Sequence, residues 1–539
     1  MWEAITTRCI SFVPLELISF TWTGDATGHT RLWRPYRATW DTERDATAAP
    51  RDLSGEWTRI TTDGGTVRLT TDRLRSHHLL FAHVDGTWVV SDDPVRMRAL
   101  IPSWRRDTEA CEVFRHTGFT VGTRTLVRGV GATPAASTVE LRPDGSWDQA
   151  LWQDYCYTSP EVTRAEDFSE RFSRAMDLVV GRLLERAGDR QLVVPLSGGL
   201  DSRLLAAWLV RLGAPRVVTF TYGKPGGREG VISRQVARAL GLPWFSVDLD
   251  PARVARAWAS PEGANFQELT WGLTSLPHVQ DWYALRAIHR DTLVEHDAIF
   301  IPGHTIVGNT HDEDVLERDS APTREEVLTL IARHHASLQG RPGSFRNLPL
   351  LRQEVVRAGR ECSWPGPRAA QELIEWFNLR ERQAKYINNS MKGYEAFDYG
   401  WALPMLDNEI WACWLSGSQE LTSTRQWYAD FTAQAFDSVV GTAPAGTTPE
   451  LFTAPRTHLP PTPRRAALAV LRATGGDRLL SRYRSVRTML NHPMAFEAFA
   501  VGLPRSTQAL RMAAGATSLG LWADLFLANA WGADLVPPD

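Results

Sequence analysis

The sequence predicts an α/β protein whose main part is a doubly wound parallel sheet. Residues 192–196 form a short apolar run with the length and composition of a buried strand. Residues 197–199, Ser-Gly-Gly, then make a tight turn, and apolar residues follow at helical spacing between positions 204 and 209. Strand and helix patterns alternate again over residues 216–249, which is typical of a parallel sheet.

The composition is that of a globular protein with more than one domain. A chain of 539 residues is too long for one ordinary hydrophobic core, and its 43% hydrophobic and 22% charged residues are usual proportions. The net charge of −3 gives no general attraction to nucleic acids or membranes. Because no apolar run could span a bilayer and no signal-peptide pattern occurs, we expect a cytoplasmic protein with neither nucleic acid nor membrane as partner.

The cysteines do not indicate a metal site or a disulfide framework, because their spacing fits neither. We expect them to be small buried hydrophobic residues in a reducing compartment. They are Cys9, Cys111, Cys156, Cys362 and Cys413.

The first 155 residues are predicted to be rich in β-strands. Polar and apolar residues alternate over 56–60, 66–70, 79–83 and 87–90, and Asp-Gly turns separate these stretches. A short helix is expected over residues 93–100, with Asp92 or Asp93 as its cap and Pro94 at its start.

The segment that links the two regions is expected at residues 154–167. A helix should follow it, with its apolar face made by Phe168, Phe172, Met176, Leu178, Val179 and Leu183. Farther along the chain, strands are predicted at residues 216–222 and 243–249, with a helix at 229–240 between them. Lys224, in the turn after the first of these strands, is either a phosphate ligand or a solvated lysine.

The turn between the apolar strand and its helix has the features of an anion site. Backbone N–H groups at a helix start attract negative charge, and the glycines let a phosphate approach closely. Ser197 and Ser202 add hydroxyl donors, and Asp201 would repel a phosphate unless Mg²⁺ lay between them. Neither the Walker pattern nor G-x-G-x-x-G is present. A plain strand–helix connection is the alternative.

The string Ser-Gly-Gly-Leu-Asp-Ser after an apolar strand resembles the pyrophosphate loop of ATP pyrophosphatases, which split ATP into AMP and pyrophosphate. The resemblance implies ATP and Mg²⁺ as cofactors, with Asp201 as both metal ligand and catalytic group. It also places Phe220 and Thr221, at the end of the second strand, near the adenosine. The loop and its flanks would bind the nucleotide through Leu196, Ser197, Gly198, Gly199, Leu200, Asp201 and Ser202.

Within that superfamily the chain resembles asparagine synthetase-like proteins. Residues 83–100 and 119–141 are similar to their N-terminal glutaminase domain, an Ntn-type α+β sandwich. The resemblance implies two domains: a glutaminase-like domain at residues 1–155 and a synthetase domain at 165–539 with a helical C-terminal part. The family's glutaminase uses an N-terminal cysteine as nucleophile, whereas residue 2 here is Trp and the first cysteine is Cys9. Unless the true start differs, we expect no glutaminase activity.

A second part of the predicted site is the turn Ile301-Pro-Gly-His-Thr-Ile-Val307. A strand that ends there would bring Gly303 and His304 to the carboxyl edge of the sheet, where open α/β sheets bind ligands. His304 is either a general base for an attacking amine or a structural histidine. Asparagine synthetases carry a metal-binding aspartate where this chain has Ile306-Val307; Asp312 or Asp314 could replace it, or Asp201 could act alone.

Leu403-Pro-Met-Leu-Asp407 is similar to the Val-Pro-Phe-Leu-Asp pattern of asparagine synthetases. The resemblance makes Asp407 and Glu409 candidates for the acceptor site, and Asp407 for catalysis; a helix cap is the alternative for Asp407. Related enzymes use a lysine in the C-terminal region, but no lysine follows Lys392 here. A substitute could be Arg456, Arg464 or Arg465.

Taken over residues 50–415, the pattern is similar to the lasso peptide cyclases. Such an enzyme adenylates an internal Asp or Glu side chain of a leader-free ribosomal core peptide and joins it to the peptide's N-terminal amine as a macrolactam. The resemblance implies a leader-binding protein and a leader peptidase as partners. Two alternatives remain: a small-molecule amide or β-lactam synthetase, and a degenerate scaffold that binds nucleotide without catalysis.

Overall fold

The computed structural model describes most of the chain. The described residues are 10–12, 23–24, 30–35, 47–63, 65–308, 316, 321–339, 348–364, 366–441, 476, 480, 483 and 503–538. Within these ranges no helix combines the length and the apolar character needed to cross a bilayer.

The first part of the chain forms two sheets. One sheet has the order β1-β7-β6-β8 and the other has the order β10-β9-β5-β4-β3-β2. Neighbouring strands are antiparallel, except for the parallel pair β1 and β7. The strands are β1 (Ile10–Phe12), β2 (Thr23–Gly24), β3 (Thr30–Trp33), β4 (Thr58–Asp63), β5 (Thr66–Thr71), β6 (Leu80–Val84), β7 (Thr87–Ser91), β8 (Gly131–Ala132), β9 (Ser137–Leu141) and β10 (Trp147–Leu151).

The two sheets face each other across a shared apolar layer. Side chains of β4, β5 and β9 meet those of β6 and β7, as the alternation of polar and apolar residues requires when one face of each strand is buried. The layer consists of Ile60, Val67, Leu69, Leu79, Phe81, Trp88, Val90, Val139 and Leu141. The four strands predicted between residues 56 and 90 are confirmed, whereas the glutaminase-like character of the sandwich stays a prediction.

Two helices, α1 (Pro94–Leu100) and α2 (Thr108–Thr117), complete this part of the chain. The side chain of Asp93 accepts a hydrogen bond from the N–H of Val95, so Asp93 is the cap of α1. The predicted helix and its cap are therefore confirmed.

The second part contains a five-stranded sheet in which every pair of neighbours is parallel. Its order is β13-β12-β11-β14-β15, so the chain adds strands on one side of β11 and then crosses to the other side. The carboxyl ends of β11 and β14 thus lie at the point where the winding direction changes, which is the usual ligand crevice of such sheets. The strands are β11 (Leu192–Pro195), β12 (Val217–Gly223), β13 (Trp244–Asp248), β14 (Ile299–Phe300) and β15 (Gly400–Trp401).

Helices cover this sheet and extend beyond it. They are α3 (Ala165–Ala187), α4 (Asp201–Arg211), α5 (Arg228–Ala239), α6 (Pro251–Trp258), α7 (Pro261–Thr270), α8 (Val279–Arg290), α9 (Arg324–His335), α10 (Pro349–Ala358), α11 (Ala369–Phe377), α12 (Met391–Glu395), α13 (Asn408–Trp414), α14 (Gln419–Thr422), α15 (Gln426–Val440), α16 (Arg505–Ala513) and α17 (Ser518–Leu527). A π-helix, Asn378–Ile387, continues α11 without a break.

Helix α3 departs from its predicted face at one position. Five of the six predicted residues are buried, but Leu178 is 56% exposed. At about 100° per residue, Leu178 lies about 200° around the helix from Met176, on the face turned away from the core. The prediction for Leu178 was wrong.

The two parts of the chain are joined by a buried charged cluster on the π-helix. The Lys385 ammonium donates to the carbonyl oxygens of Thr120 and Gly122 at 3.0 and 2.7 Å, and to Glu381 Oε2 at 2.7 Å. Glu381 also accepts a hydrogen bond from the N–H of Gly122. Burial lowers the pKa of Lys385 to about 8, although Glu381 opposes this shift. Because every proton of the ammonium has an acceptor, the charge is tolerated in the interior.

Replacing Lys385 by Met should destabilise the fold by about 3 kcal/mol, because the buried Glu381 Oε2 would lose its cation and only Arg380, 3.6 Å from Oε1, would remain. The free energy of unfolding can be followed by tryptophan fluorescence in urea. Lys224 lies exposed in the turn after β12, so Lys224→Met is the matched control and should change stability by less than about 0.5 kcal/mol. Equal unfolding midpoints for the two variants would contradict this role of Lys385.

Candidate active site

The turn after β11 is held closed by two serine side chains. The hydroxyl of Ser202 accepts a hydrogen bond from the N–H of Ser197 at 3.0 Å and lies 3.0 Å from the Ser197 hydroxyl. The Ser197 hydroxyl in turn accepts from the N–H of Gly199 at 3.1 Å. The two serines of the predicted phosphate loop therefore shape the turn from inside it.

Helix α4 begins in this turn with a residue that cannot cap it. Leu200 is the N-cap and offers no side-chain acceptor to the first turn of the helix. A helix start leaves backbone N–H groups without intrahelical partners and carries partial positive charge. A phosphate group can supply the missing acceptors, so the geometry suits an anion.

The turn after β14 packs directly on this helix start. A Cβ added to Gly303 would lie 2.6 Å from the Ser202 nitrogen and 2.9 Å from its Cα. No side chain larger than that of glycine fits there without moving one backbone or the other. The structure thus brings together the two segments that the sequence places on one edge of the sheet.

Asp201, at the first position of α4, forms an ion pair that the sequence did not predict. Arg425, just before α15, donates to Asp201 Oδ1 at 2.5 Å, and the nearby Tyr428 also favours the charged carboxylate. Burial raises the pKa of Asp201 above its ordinary value, and both partners only partly offset that shift. Sequence reasoning sought the basic residue at positions 456, 464 and 465, which lie outside the described residues; no local pattern marks Arg425.

His304 follows Gly303 and is neutral at physiological pH. Burial lowers the pKa of His304 to about 4, while the charge of Asp281 and the amide of Asn388 oppose the shift. A neutral imidazole can accept a proton, so the geometry is compatible with the general base that the sequence suggests.

Phe220 and Thr221, which the resemblance places near the adenosine, are both buried at the end of β12. The Phe220 ring is buried and stacks on Phe245, with ring centroids 5.5 Å apart, so its side chain belongs to the core. Its carbonyl oxygen accepts from the N–H of Leu196 at 2.7 Å and thereby anchors the end of β11. Leu196 and Thr221 are buried as well. A nucleotide could therefore meet Phe220 through its backbone rather than its ring, and the approach of adenosine to Phe220 and Thr221 stays a prediction.

The family's expected metal aspartate has no counterpart in the described part of this turn. Ile306 and Val307 are both buried, with 2% and 1% of their surface exposed. Among the residues that the structure describes, no group of three or more His, Cys, Asp or Glu side chains is arranged to hold a metal ion. Asp312 and Asp314 lie outside the described residues.

Asp407 lies at the junction with the sandwich. Its Oδ1 accepts from the N–H groups of Gly55 and Asn408 at 2.9 and 2.7 Å, and Arg182 donates to Oδ2 at 2.9 Å. Arg182 also pairs with Glu409. The structure gives Asp407 the capping role, at the start of α13, and does not place it with the loop; its catalytic role stays a prediction.

These segments lie in or beside a stretch that is similar to a known family. Residues 178–292 match the family model for asparagine synthase. The match covers 115 of 539 residues, including the serine loop, β12 and β13, and it ends before Gly303. It supports an ATP-utilising ligase of the asparagine synthase kind, and the parallel sheet of the mixed α/β structure agrees with it.

Solved structures give only weak likenesses. An NMN synthetase from Francisella tularensis is 13% identical with a TM-score of 0.18; the match covers 27% of this chain and 56% of that one, so the chain spans little more than half of it. An NH3-dependent NAD synthetase from Campylobacter jejuni is 12% identical, with a TM-score of 0.19 and coverages of 36% and 82%. An NAD+ synthetase from Burkholderia pseudomallei is 15% identical, with a TM-score of 0.18 and coverages of 44% and 90%. These TM-scores are too low to bear on the fold or function of this chain.

Among curated proteins, none matches the chain.

Replacing Gly303 by Ala should separate the turn from α4 and weaken ATP binding at least about tenfold, which titration calorimetry would measure. Gly181 in α3 is the matched control, since a Cβ there meets nothing within 4 Å. Gly181→Ala should leave ATP affinity unchanged and stabilise the helix by up to about 1 kcal/mol. Wild-type affinity in Gly303→Ala would show that the close packing does not matter for the nucleotide.

Acid should destabilise the protein partly through His304. Its pKa is about 4 in the folded chain against an ordinary 6.5, so between these values the unfolded chain binds a proton that the folded chain does not. Stability is therefore lost as the pH falls from 6.5 to 4, by at most about 3 kcal/mol and less where solvent screens the ring. His304→Gln should lose less stability than wild type between pH 7 and 4.5 in urea unfolding. Parallel pH profiles would count against a lowered pKa of His304.

Proposed function

We propose that the chain is an ATP-dependent lasso peptide cyclase. In this proposal it adenylates an internal Asp or Glu side chain of a leader-free core peptide. It then joins that carbonyl to the peptide's N-terminal amine as a macrolactam and releases AMP and pyrophosphate. The observation that carries the proposal is the serine loop at the uncapped start of α4, with Gly303 and His304 packed against it.

The first half of the reaction follows from the chemistry of the loop. A carboxylate must be activated before an amine can displace its oxygen. Attack of the carboxylate on the α-phosphate of ATP forms an acyl-adenylate and expels pyrophosphate. The N–H groups at the start of α4, and one hydroxyl of the hydrogen-bonded pair Ser197 and Ser202, are donors for the charge that moves onto the pyrophosphate.

The expected Mg²⁺ would be held by Asp201 together with phosphate oxygens, since proteins commonly hold this ion with one or two carboxylates and substrate phosphates. The ion would neutralise phosphate charge when bound. Asp201 already pairs with Arg425, so the guanidinium and the ion would share this carboxylate or Arg425 would turn toward the phosphates.

The second half of the reaction needs a free amine beside the acyl-adenylate. Binding both groups of one peptide makes their reaction effectively intramolecular. Neutral His304 can accept the proton that the amine loses. The sandwich would not need to supply ammonia for this chemistry, and a leader-binding protein and a leader peptidase would deliver the peptide.

A degenerate scaffold that binds nucleotide is the second candidate. It is favoured by Ile306 and Val307, which are buried where the related enzymes carry a metal aspartate. The complete Ser197–Ser202 loop favours catalysis instead, because it retains Asp201, the carboxylate that would hold Mg²⁺ on the phosphates.

The test uses synthetic linear peptides with a free N-terminus and one internal Asp or Glu placed at successive positions. With ATP and Mg²⁺, we expect one peptide to lose the mass of one water, with one AMP released per product. Mass spectrometry and a nucleotide assay measure the two. Asp201→Ala should reduce both by about 10² or more, because the loop would lose its metal-binding carboxylate.

Other outcomes would replace the proposal. AMP formed only with small carboxylic acids would indicate a small-molecule amide or β-lactam synthetase. Binding of ATP by folded protein without AMP from any substrate would favour the scaffold. Full activity in Asp201→Ala would contradict the assigned role of this carboxylate.

A further inference from the structure

A cluster of polar side chains includes His304 and contains none of the residues assigned to the nucleotide. Its members come from four segments that are distant in sequence: the end of β12, the start of α8, the turn after β14, and the π-helix with the short helix after it. We call it the Asp281 cluster. It consists of Tyr222, His278, Asp281, His304, Tyr386 and Asn388.

Asp281 is the charged centre of this cluster. The Tyr222 hydroxyl donates to Asp281 Oδ1, and His278 Nδ1 lies 3.6 Å from Oδ2. The His278 ring is held from the other side by Tyr386, with ring centroids 4.4 Å apart. Burial raises the pKa of Asp281, but its contacts with His278 and Tyr222 outweigh burial and leave the pKa below its ordinary value. Asp281 is therefore an anion at neutral pH, and its charge acts on His304.

Three polar atoms of the cluster are buried and lack a hydrogen-bond partner in the part of the chain that the structure describes. They are His278 Nε2, His304 Nδ1 and Asn388 Oδ1. Asn388 is only 5% exposed, and its amide lies close enough to His304 to favour the protonated imidazole. Buried polar atoms without partners are costly, and these three can take up further hydrogen bonds when a water or substrate enters.

The geometry suggests how His304 could be prepared as a base. A proton on His304 Nδ1, directed at Asn388 Oδ1, would leave Nε2 as the acceptor, since each neutral imidazole has one donor and one acceptor nitrogen. When Nε2 takes a second proton, the ring becomes a cation beside the Asp281 anion. The Asp281 charge and the Asn388 amide then offset part of the cost of burying that cation.

We propose that the Asp281 cluster is the proton-accepting site for the attacking amine, in which His304 takes the proton, Asp281 and Asn388 stabilise its charge, and His278 holds Asp281 in place. This inference rests on the proposed function and extends it from the nucleotide to the amine. His304 is the catalytic residue, and the other three are positioning residues.

The step balances without any further reactant. The amine nitrogen forms a bond to the acyl carbon, and the bond from that carbon to the AMP oxygen breaks, so AMP leaves with the electron pair. The N–H proton moves to His304 and then to water. The products are the amide, AMP and one proton.

Charged groups of both signs act on the cluster, and a charge on His278 opposes protonation of His304. Glu229 of α5 acts on Tyr222, Arg382 of the π-helix acts on Tyr386, and the Asp281 charge reaches Tyr394 of α12. Asp281 is the acidic group whose charge favours protonation of His304. Its removal should therefore affect proton uptake more than nucleotide binding.

The test separates adenylation from amide formation in the full-length protein. Adenylation is measured as carboxylate-dependent exchange of labelled pyrophosphate into ATP, using the synthetic peptide that wild type dehydrates. Amide formation is measured by mass spectrometry on the same peptide. In Asp281→Asn and His278→Gln, we expect exchange to persist while amide formation falls about 10²-fold or more, the usual contribution of proton transfer.

Hydroxylamine is the probe that distinguishes proton transfer from a structural effect. It is largely unprotonated at pH 7 and a strong nucleophile, so it needs little help from a base. Both variants should still convert the adenylate to a hydroxamate at nearly the wild-type rate. The matched controls lie on or next to the same helix: His289→Gln and Asp291→Asn, at exposed positions, should behave as wild type in all three assays.

Each result decides the matter. Wild-type amide formation in both variants, or equal loss of exchange, hydroxamate and amide, would overturn the proposal. If Asp281→Asn does not fold, as judged by thermal unfolding, His278→Gln decides alone by the same criteria. If wild type itself shows no exchange with any peptide, that result contradicts the proposed function. The inference, which rests on that function, is then contradicted as well.

Discussion

The approach of Gly303 to the backbone of Ser202 is the constraint on which the candidate site depends. It allows the turn after β14 to lie on the start of α4 with no side chain between them. Because β11 and β14 are neighbours at the change of winding direction, their carboxyl ends would meet in any case. The absence of a side chain at Gly303 sets how closely they meet. It therefore also sets the distance between His304 and the serine loop.

Much of this arrangement could be predicted from local patterns. Period-two alternation marked the strands of the sandwich, and apolar runs followed by turns marked β11, β12 and β13. The serine loop was recognisable because its chemistry is contained in six consecutive residues. Leu178 was misplaced because the apolar residues around it extend over more of the helix than the buried face does.

The remainder of the site depends on contacts between distant segments, which no local pattern encodes. Arg425 is 224 residues from Asp201, and Asn388 is 84 residues from His304. Phe220 was assigned to the nucleotide by position alone, although its ring turns into the core between Phe245 and Phe300. Asp407 follows a recognisable pattern, yet its partners Gly55 and Arg182 come from two other regions. In each case the role of the side chain depends on which distant residue lies beside it in the folded chain.

The placement of the lysines gives the molecule an unusual surface chemistry. Arginine supplies nearly all of the positive charge, and the sequence contains only three lysines. Lys385 and Lys392 are buried, so Lys224 is the one lysine side chain open to solvent. An amine-reactive dye would thus attach at Lys224, apart from the amino terminus. This attachment point lies just beyond β12, on the edge of the sheet that carries the serine loop. A dye at Lys224 would therefore report on changes at that edge, and no cysteine would have to be engineered.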